Sequence, residues 1–421
     1  MGNDPYDRTG SKGPKVILII LVLCVLSFVL WYATQTDDPD RNRIAELFDD
    51  VFGDGSQNLV INEIPTPLPL YENNVVFSDE TQYYYQQLSD YEKETYDSLY
   101  MACKEYKDEV SIKPVKTEEF ERALYAFRDD HPEFFWMQGS VVQTTLINGS
   151  VYKAAYNVPL NAESKMKELE KKAEEILRYA PKSDYEKVKY FYEYIINNTD
   201  YDLNAPDNQT AYSALINGRS VCAGYSGAFL YLCDKAGIYC GYASGEVVGR
   251  GLHGWNFVRL NGKYYWVDVT WGDPAFEDGF VRENNLNYDY LCVTDKEILA
   301  DRILSNDPRY SEYNRAAVFA YPQCTDNSLN YYVQAGCYFE SYDKDMIYEY
   351  ILTQIGDEGN KRVEMKFASE EAYLMALNDT IRSDDFLDSL VVDLRFRYGI
   401  KISQSHATMS DTSYRLLIEF S

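Results

Sequence analysis

The spacing of apolar and polar residues changes several times along the chain, and each change marks an element. From Ser78, Leu88, Tyr91, Leu99, Cys103 and Tyr106 fall near one helical face. A second helix is predicted over 117–129, stopped by Pro132 in DHPEFFW. VVQTTLI and SVYKAAY alternate on either side of Asn148-Gly149, which predicts a hairpin over 141–156. A charged amphipathic helix follows over 165–179. Ser183 and Glu186 then form an S-x-x-E capping box, opening a helix that runs to about Ile196. A short helix at 211–216 is broken by Asn217-Gly218. Residues 221–237, VCAGYSGAFLYLCDKAG, are apolar along one side, with Gly237 as a natural stop. IYCGYASGEV reads as a strand.

The next stretch, HGWNFVRLNGKYYWVDVTWGDP at 253–274, carries the clearest hairpin signal: Asn261-Gly262 between two aromatic-rich, β-branched runs. A two-residue turn sets the register. Leu260 faces Lys263, Val258 faces Tyr265, Trp255 faces Asp268 and His253 faces Thr270. Side chains two apart share a face, so His253, Trp255 and Asp268 lie on one side and Asn256 on the other, where it is structural. His253 and Asp268 become diagonal neighbours, about 7–8 Å apart at Cα, a gap that an imidazole and a carboxylate can close.

Past residue 310 the character changes. NYYVQAGCYF is strand-like, 343–356 is helical, KRVEMKF at 361–367 alternates, a short helix follows at 369–377, and RLLIEF closes as a strand. The expected organisation is a cytoplasmic tail at 1–15, a transmembrane signal anchor at 16–33, a stalk at 34–76, an N-terminal helical and hairpin region at 77–160, a catalytic domain at 161–310 and a small α+β domain at 311–421. The anchor rests on VILIILVLCVLSFVLWYA, eighteen residues without a charge. Such a run spans roughly 27 Å as a helix, just enough for a hydrocarbon core. Arg8, Lys12 and Lys15 precede it and acidic residues follow, so the bulk of the chain is expected outside the cytoplasm, on the cell membrane. A cleaved signal peptide is the alternative, but Trp31 stands where a small residue is wanted.

Composition narrows the function. A formal net charge of −27 makes nucleic acid a poor partner. Eight cysteines, one in the membrane run, show no C-x-x-C pair and no zinc spacing, so neither metal nor cofactor is expected and no disulfide can be assigned. There are three histidines; His131 reads as structural, which directs attention to His253. The helix beginning at Cys222 supplies a partner. A cysteine in a first helical turn feels the positive end of the helix dipole, which favours thiolate, and free N–H groups at that end can hold an oxyanion. A cysteine in an apolar helix is ordinarily packed core, as Cys233 is expected to be. Cys222 differs by its terminal position and its small neighbours Ala223 and Gly224.

GRSVCAGYSGAFLYLCDKAGI followed by HGWNFVRLNGKYYWVDVTWGDP resembles the transglutaminase-like (papain-like thiol) superfamily in its bacterial branch. That family has a Cys-G-Y-type helix start, then H-x-W-N on one strand and W-x-x-V-D-x-T-W on the next. The resemblance spans about residues 183–275. It implies an α+β, papain-like fold: a thiol-bearing helix packed on an antiparallel sheet. It makes Cys222 the nucleophile, His253 the base and Asp268 the orienting acid. Trp255 and Trp271 flank this set, as groove walls or as packing, and Gln209 or Tyr212 could supply an oxyanion donor. The expected function is extracytoplasmic, cysteine-dependent acyl transfer on amide bonds of peptides or proteins, cell-envelope protein among them, by a peptidase, deamidase or transglutaminase. The alternative is a catalytically idle cell-surface binding module of the same fold.

Overall fold

Capping residues and turns set the element boundaries. The computed structural model describes residues 60–62, 82–273, 286–312, 314, 318–410 and 413–421. The predicted cytoplasmic tail, the apolar run at 16–33 and most of the predicted stalk lie outside these residues. Among the described residues no helix is long and apolar enough to cross a membrane.

After strand β1 (Val60–Asn62), helix α1 (Asp90–Lys104) opens where Glu92 takes the Ser89 N–H at 2.7 Å. Leu99 and Cys103 are buried along it as expected, but Tyr91 is 63% exposed and Tyr106 lies beyond the helix end at φ 55°. Strand β2 (Glu109–Val115) and helix α2 (Thr117–Asp130) follow, then β3 (Val141–Thr145) and β4 (Val151–Tyr156), the first predicted hairpin. These strands form a sheet of order β1-β3-β4-β2, with β1 parallel to β3. Helix α3 (Ala162–Leu177) precedes α4 (Asp184–Asn198), whose Ser183 hydroxyl accepts the Glu186 N–H. A short bridge joins β5 (Asp200–Tyr201) to β6 (Arg219–Ser220), and the short helix expected at 211–216 is present between them, its last five residues, Ser213–Asn217, wound as a π-type turn.

Helix α5 (Cys222–Lys235) then leads into β7 (Cys240–Val247), β8 (Gly251–Leu260) and β9 (Lys263–Val267). With β10 (Leu291–Val293) and β11 (Arg302–Leu304) they make an antiparallel sheet of order β10-β9-β8-β7-β11. Between the last two lies the short helix α6 (Asp295–Ile298). The Asn261-Gly262 turn has φ of 52° and 75°, and the register is Leu260 to Lys263, Val258 to Tyr265 and Asn256 to Val267, as read from the sequence. The alternation sorts the sheet's two faces. Val258, Leu260, Tyr265 and Val267 join the main core with α5, while Trp255, Phe257 and Trp266 pack on the other side with Val293 and Ile298.

The chain departs from the predicted ladder after Val267. His253 pairs with Gly245 of β7 rather than with Thr270, and the chain turns away, with Gly272 N–H to Asp268 O at 3.1 Å. The Asp268 carboxylate causes the turn locally by accepting the Trp271 N–H at 3.1 Å, the habit of aspartate in turns.

In the C-terminal part, NYYVQAGCYF is a helical turn, α7 (Tyr331–Gln334), followed by β12 (Tyr338–Phe339), not one strand. Asn330 caps it by accepting the Tyr332 N–H. Helix α8 (Lys344–Gly356), β13 (Arg362–Phe367), α9 (Glu370–Thr380), α10 (Asp384–Tyr398), β14 (Ser405–Ser410) and β15 (Arg415–Phe420) complete the chain. Their sheet, of order β12-β13-β15-β14, and three helices enclose a separate apolar core that includes Ile351, Met365, Leu390 and Ile418.

Candidate active site

Helix α5 begins at Cys222 because the preceding residue is held extended. Val221 donates its N–H to Asn208 O at 2.9 Å, and Val221 O accepts from Gly224 and Tyr225. The chain must come close at this point. A side chain at Gly224 would strike the Ser220 hydroxyl and lie 2.7 Å from Thr210 O. That space is taken by a buried network in which Ser213 Oγ and Ser220 Oγ stand 2.7 Å apart and Ser220 donates to Asn208 O at 2.5 Å.

Two side chains tie the helix to β8. Ser226 Oγ donates to Gly254 O at 2.8 Å, and Asn256 Nδ2 donates to Ser226 O at 3.1 Å and Gly241 O at 3.3 Å. Asn256 is thus structural, on the face opposite His253. These ties bring the first turn of α5 to the backbone at Gly254, whose N–H donates to the Cys222 thiol.

Cys222, His253 and Asp268 come together at this end of the sheet. His253 Nε2 lies 2.8 Å from Asp268 Oδ2, with both side chains buried. The Cys222 thiol is hydrogen-bonded to the same imidazole. With Nε2 engaged by the carboxylate, Nδ1 is the nitrogen left for sulfur. Burial pushes the Cys222 thiol up, but the His253 hydrogen bond and charge and the Gly254 N–H outweigh it, so the thiol sits below its ordinary value. Burial pushes His253 down, but Asp268 and the thiol carry it up to about 9. Burial also works against an ionised Asp268, which His253, Arg302 and the Trp271 N–H overcome, leaving it below the usual carboxylate range. All three shifts favour thiolate beside imidazolium.

The other cysteines provide a contrast. Among the described residues all seven are free, and the six besides Cys222 are buried. Burial drives Cys103 and Cys337 up to about 12, and Cys233 well above its ordinary value beside Cys240. Cys233 is packed core, as expected. His131 is enclosed by Tyr96, Tyr100, Phe127 and Phe134 and lies 2.9 Å from Glu133 Oε1. No group of acidic, histidine and cysteine side chains suited to a metal ion occurs among the described residues.

The remaining predicted residues separate. Trp255 is fully buried and stacks on the His253 ring, centroids 5.7 Å apart, so it backs the imidazole rather than facing a groove. Trp271 stands nearly perpendicular to the same ring, centroids 6.4 Å apart, and supplies its backbone N–H to Asp268. Gln209 is exposed and, with Ala223 and Gly227 of α5, Tyr242 and Asp129, lines a cavity of about 390 Å³ beside the thiol-bearing turn. Tyr212 turns its hydroxyl away to Glu168 on α3 at 2.6 Å. Two residues escaped the sequence reading. The Cys222 N–H donates to the Tyr201 hydroxyl, so a tyrosine stands at the helix end where an oxyanion would form. Arg302 Nη2 lies 2.8 Å from Asp268 Oδ2, the oxygen that also takes His253. Neither had a local signal: each reaches the site across more than twenty residues of sequence.

Part of the chain is similar to known proteins. The profile of the transglutaminase-like superfamily matches residues 171–270. Kyphoscoliosis peptidase of Mus musculus is 31% identical over 106 residues, and that of Homo sapiens 30% identical over 106 residues. Each match takes in 21% of this chain and only 16% of the relative's length. Among solved structures, a TGase aligns with a TM-score of 0.24 at 16% identity, over 31% of this chain and 44% of that one. The chain carries a transglutaminase-like core domain at residues 171–270, within which Cys222, His253 and Asp268 all fall.

Proposed function

We propose that this chain is a cysteine-dependent acyl-transfer enzyme acting on amide bonds of peptides or proteins, with Cys222 as nucleophile. The observation that carries the reading is the buried His253–Asp268 pair with a thiol held below its ordinary value at the first turn of a helix. In the first half-reaction the thiolate attacks the amide carbon and a C–S bond forms. The negative charge passes to the carbonyl oxygen, beside the N-terminal end of α5. His253 imidazolium gives its proton to the amide nitrogen as the C–N bond breaks, leaving a thioester and an amine or ammonia. In the second, water or an amine attacks the thioester, His253 takes a proton from it, and sulfur departs as thiolate. Asp268 orients the ring and stabilises its charge throughout. The cavity lined by Gln209, Ala223 and Asp129 adjoins the first turn of α5 and offers room for a substrate chain.

We further propose that the chain is a single-pass membrane protein with this domain outside the cytoplasm. The uncharged run at 16–33, its basic flank at Arg8, Lys12 and Lys15 and its acidic flank at Asp37, Asp38 and Asp40 support that orientation. Resistance of the chain to alkaline extraction from membranes, with protease access from the outer face alone, is the expected result.

Alkylation of Cys222 by iodoacetamide in the full chain tests the activity, read by site-resolved mass spectrometry across pH beside His253→Ala. Fast labelling confined to Cys222, persisting well below the free-thiol value of about 8.5 and slowed by His253→Ala, supports an activated pair. Labelling that follows an ordinary thiol and ignores His253 sinks the reading and leaves a binding module of the same fold.

A further inference from the structure

We propose that Arg302 is a positioning residue of this site: its guanidinium fixes and neutralises Asp268, and thereby sets how readily Cys222 and His253 form their ion pair. The proposal rests on the reading of Cys222, His253 and Asp268 as the reacting set. Arg302 lies outside the segment that the superfamily profile covers, 34 positions beyond Asp268 in the chain.

Its placement is specific. Nη2 approaches Asp268 Oδ2 at 2.8 Å, so His253 and Arg302 share one oxygen while the Trp271 N–H holds the other. The Arg302 side chain is 1% exposed and that of Asp268 0%. The guanidinium is held on its far side by Asp301 Oδ1 at 2.5 Å and Ile298 O at 3.4 Å. Three aromatic rings surround it, with centroids 5.9 Å away at Trp255, 5.2 Å at Trp271 and 5.1 Å at Tyr290. The two tryptophans also flank the His253 ring. The guanidinium is thus fixed among rings on one side and the reacting carboxylate on the other.

Charge balance gives the position its purpose. Thiolate, imidazolium and carboxylate together carry one negative charge in a buried place. Arg302 brings the sum to zero, so the constellation carries no net buried charge whether the proton sits on sulfur or on the imidazole. The groups facing this constellation are Asp301 on the Arg302 strand, Tyr290 from the turn before β10, Tyr192 from α4 beside Asp268, and Tyr201 and Tyr242 beside the thiol. Arg250 lies over the Trp271 ring. Burial pushes Tyr192, Tyr201 and Tyr242 up, so these three stay neutral while the thiol and imidazole titrate. Removing a positive charge makes every nearby proton harder to lose. Loss of Arg302 therefore raises the titration of both Cys222 and His253, by less than a direct contact would, because the charge acts through Asp268.

The test is the pH profile of Cys222 alkylation in the full chain, for the natural sequence, Arg302→Gln, Arg302→Lys and Asp301→Asn. Arg302→Gln is expected to move the midpoint of thiolate formation upward, and Arg302→Lys, which keeps the charge, to return it toward the natural position. Asp301→Asn frees Arg302 from a half-exposed competitor and is expected to move the midpoint down by a smaller amount. A purely structural arginine would lower the labelled fraction in Arg302→Gln and leave the midpoint where it was, which overturns the proposal. If Arg302→Gln does not fold, Asp301→Asn decides: a downward shift supports the proposal and an unmoved midpoint overturns it. If the natural protein itself labels as an ordinary thiol, the acyl-transfer reading fails first, a result distinct from any of these.

Discussion

At His253 the two ring nitrogens have different partners, and that asymmetry sets a pH window. The thiol lies below its ordinary value because of the imidazolium, and the imidazole is carried up to about 9 by Asp268 and the thiol. Acyl transfer is expected to rise as the thiolate forms and to fall as His253 loses its proton through pH of about 9. His253→Ala removes both the hydrogen bond and the charge. Cys222 then returns toward a free thiol, and labelling at pH 6 should drop at least about tenfold. The same residue links pH to stability. Its folded value lies above the unfolded one of about 6.5, so its contribution is complete below that value and lost as pH rises through the folded value. Cys222, held below its ordinary value, gains stability as pH rises toward the free-thiol range and offsets this loss, so urea denaturation of the natural protein should lose the pair's contribution only as pH passes about 9, a loss that His253→Ala does not share. Asp268 runs the other way: its value is depressed, so its contribution holds at neutral pH and disappears only in acid.

At the scale of elements, the site depends on how α5 is seated against β8. Asn256 does most of this, with one amide donating to both the helix at Ser226 O and the neighbouring strand at Gly241 O. Asn256→Leu removes both of these buried hydrogen bonds, and should cost about 2–3 kcal/mol in thermal or urea unfolding. It should also slow Cys222 labelling, since a shift of about 1 Å in helix position can cost 10²-fold in a positioned reaction. Gly224→Ala is expected to act at the same junction by overpacking, at about 1–3 kcal/mol.

These elements also divide what could be read in advance from what could not. Asn261-Gly262 fixed the pairing of β8 with β9 because a two-residue turn leaves one register. The first turn of α5 was legible from Gly237 at one end and small residues at the other. The end of β9 at Val267 was not, because it depends on Asp268 accepting an N–H three residues on. Nor were Arg302 and Tyr201, whose contacts with the site obey no local period. In NYYVQAGCYF the tyrosines mimic a strand, and the Asn330 cap that makes a helical turn is a single hydrogen bond. Helix α10 was passed over because its outer face carries Val392 and Phe396, which are 50% and 83% exposed and blur the amphipathic pattern.

At the scale of the whole molecule, the C-terminal core from β12 to β15 reaches the candidate site through the turn that carries Asn287 and the buried carboxylate of Asp289. Asp289 takes Lys366 Nζ of β13 at 3.1 Å and lies 3.7 Å from Arg415 Nη1 of β15. Arg415 also donates to Asn287 Oδ1 at 3.2 Å. Asn287 donates its N–H to Gly272 O, and the next carbonyl after Asp289, that of Tyr290, accepts the Asp268 N–H at 2.9 Å. Two cations from the C-terminal part thus hold the short turn on which the backbone of Asp268 rests. Burial works against an ionised Asp289, but Lys366 and Arg415 reverse it and keep the carboxyl below its usual range, so the clamp is complete at neutral pH and fails as pH drops through that lowered value. Removing one partner of such a buried set leaves an uncompensated charge. Asp289→Asn and Arg415→Met should each cost about 3–5 kcal/mol, read from urea unfolding at pH 7. Because both break the same contact, the double variant should cost less than their sum, by about 0.5–3 kcal/mol. Both should also slow Cys222 labelling without moving its pH midpoint, since they displace the Asp268 backbone and leave the charges around the thiol in place. An Asp289→Asn protein that unfolds earlier yet labels at the natural rate would separate the C-terminal core from the site and reduce the clamp to a matter of stability.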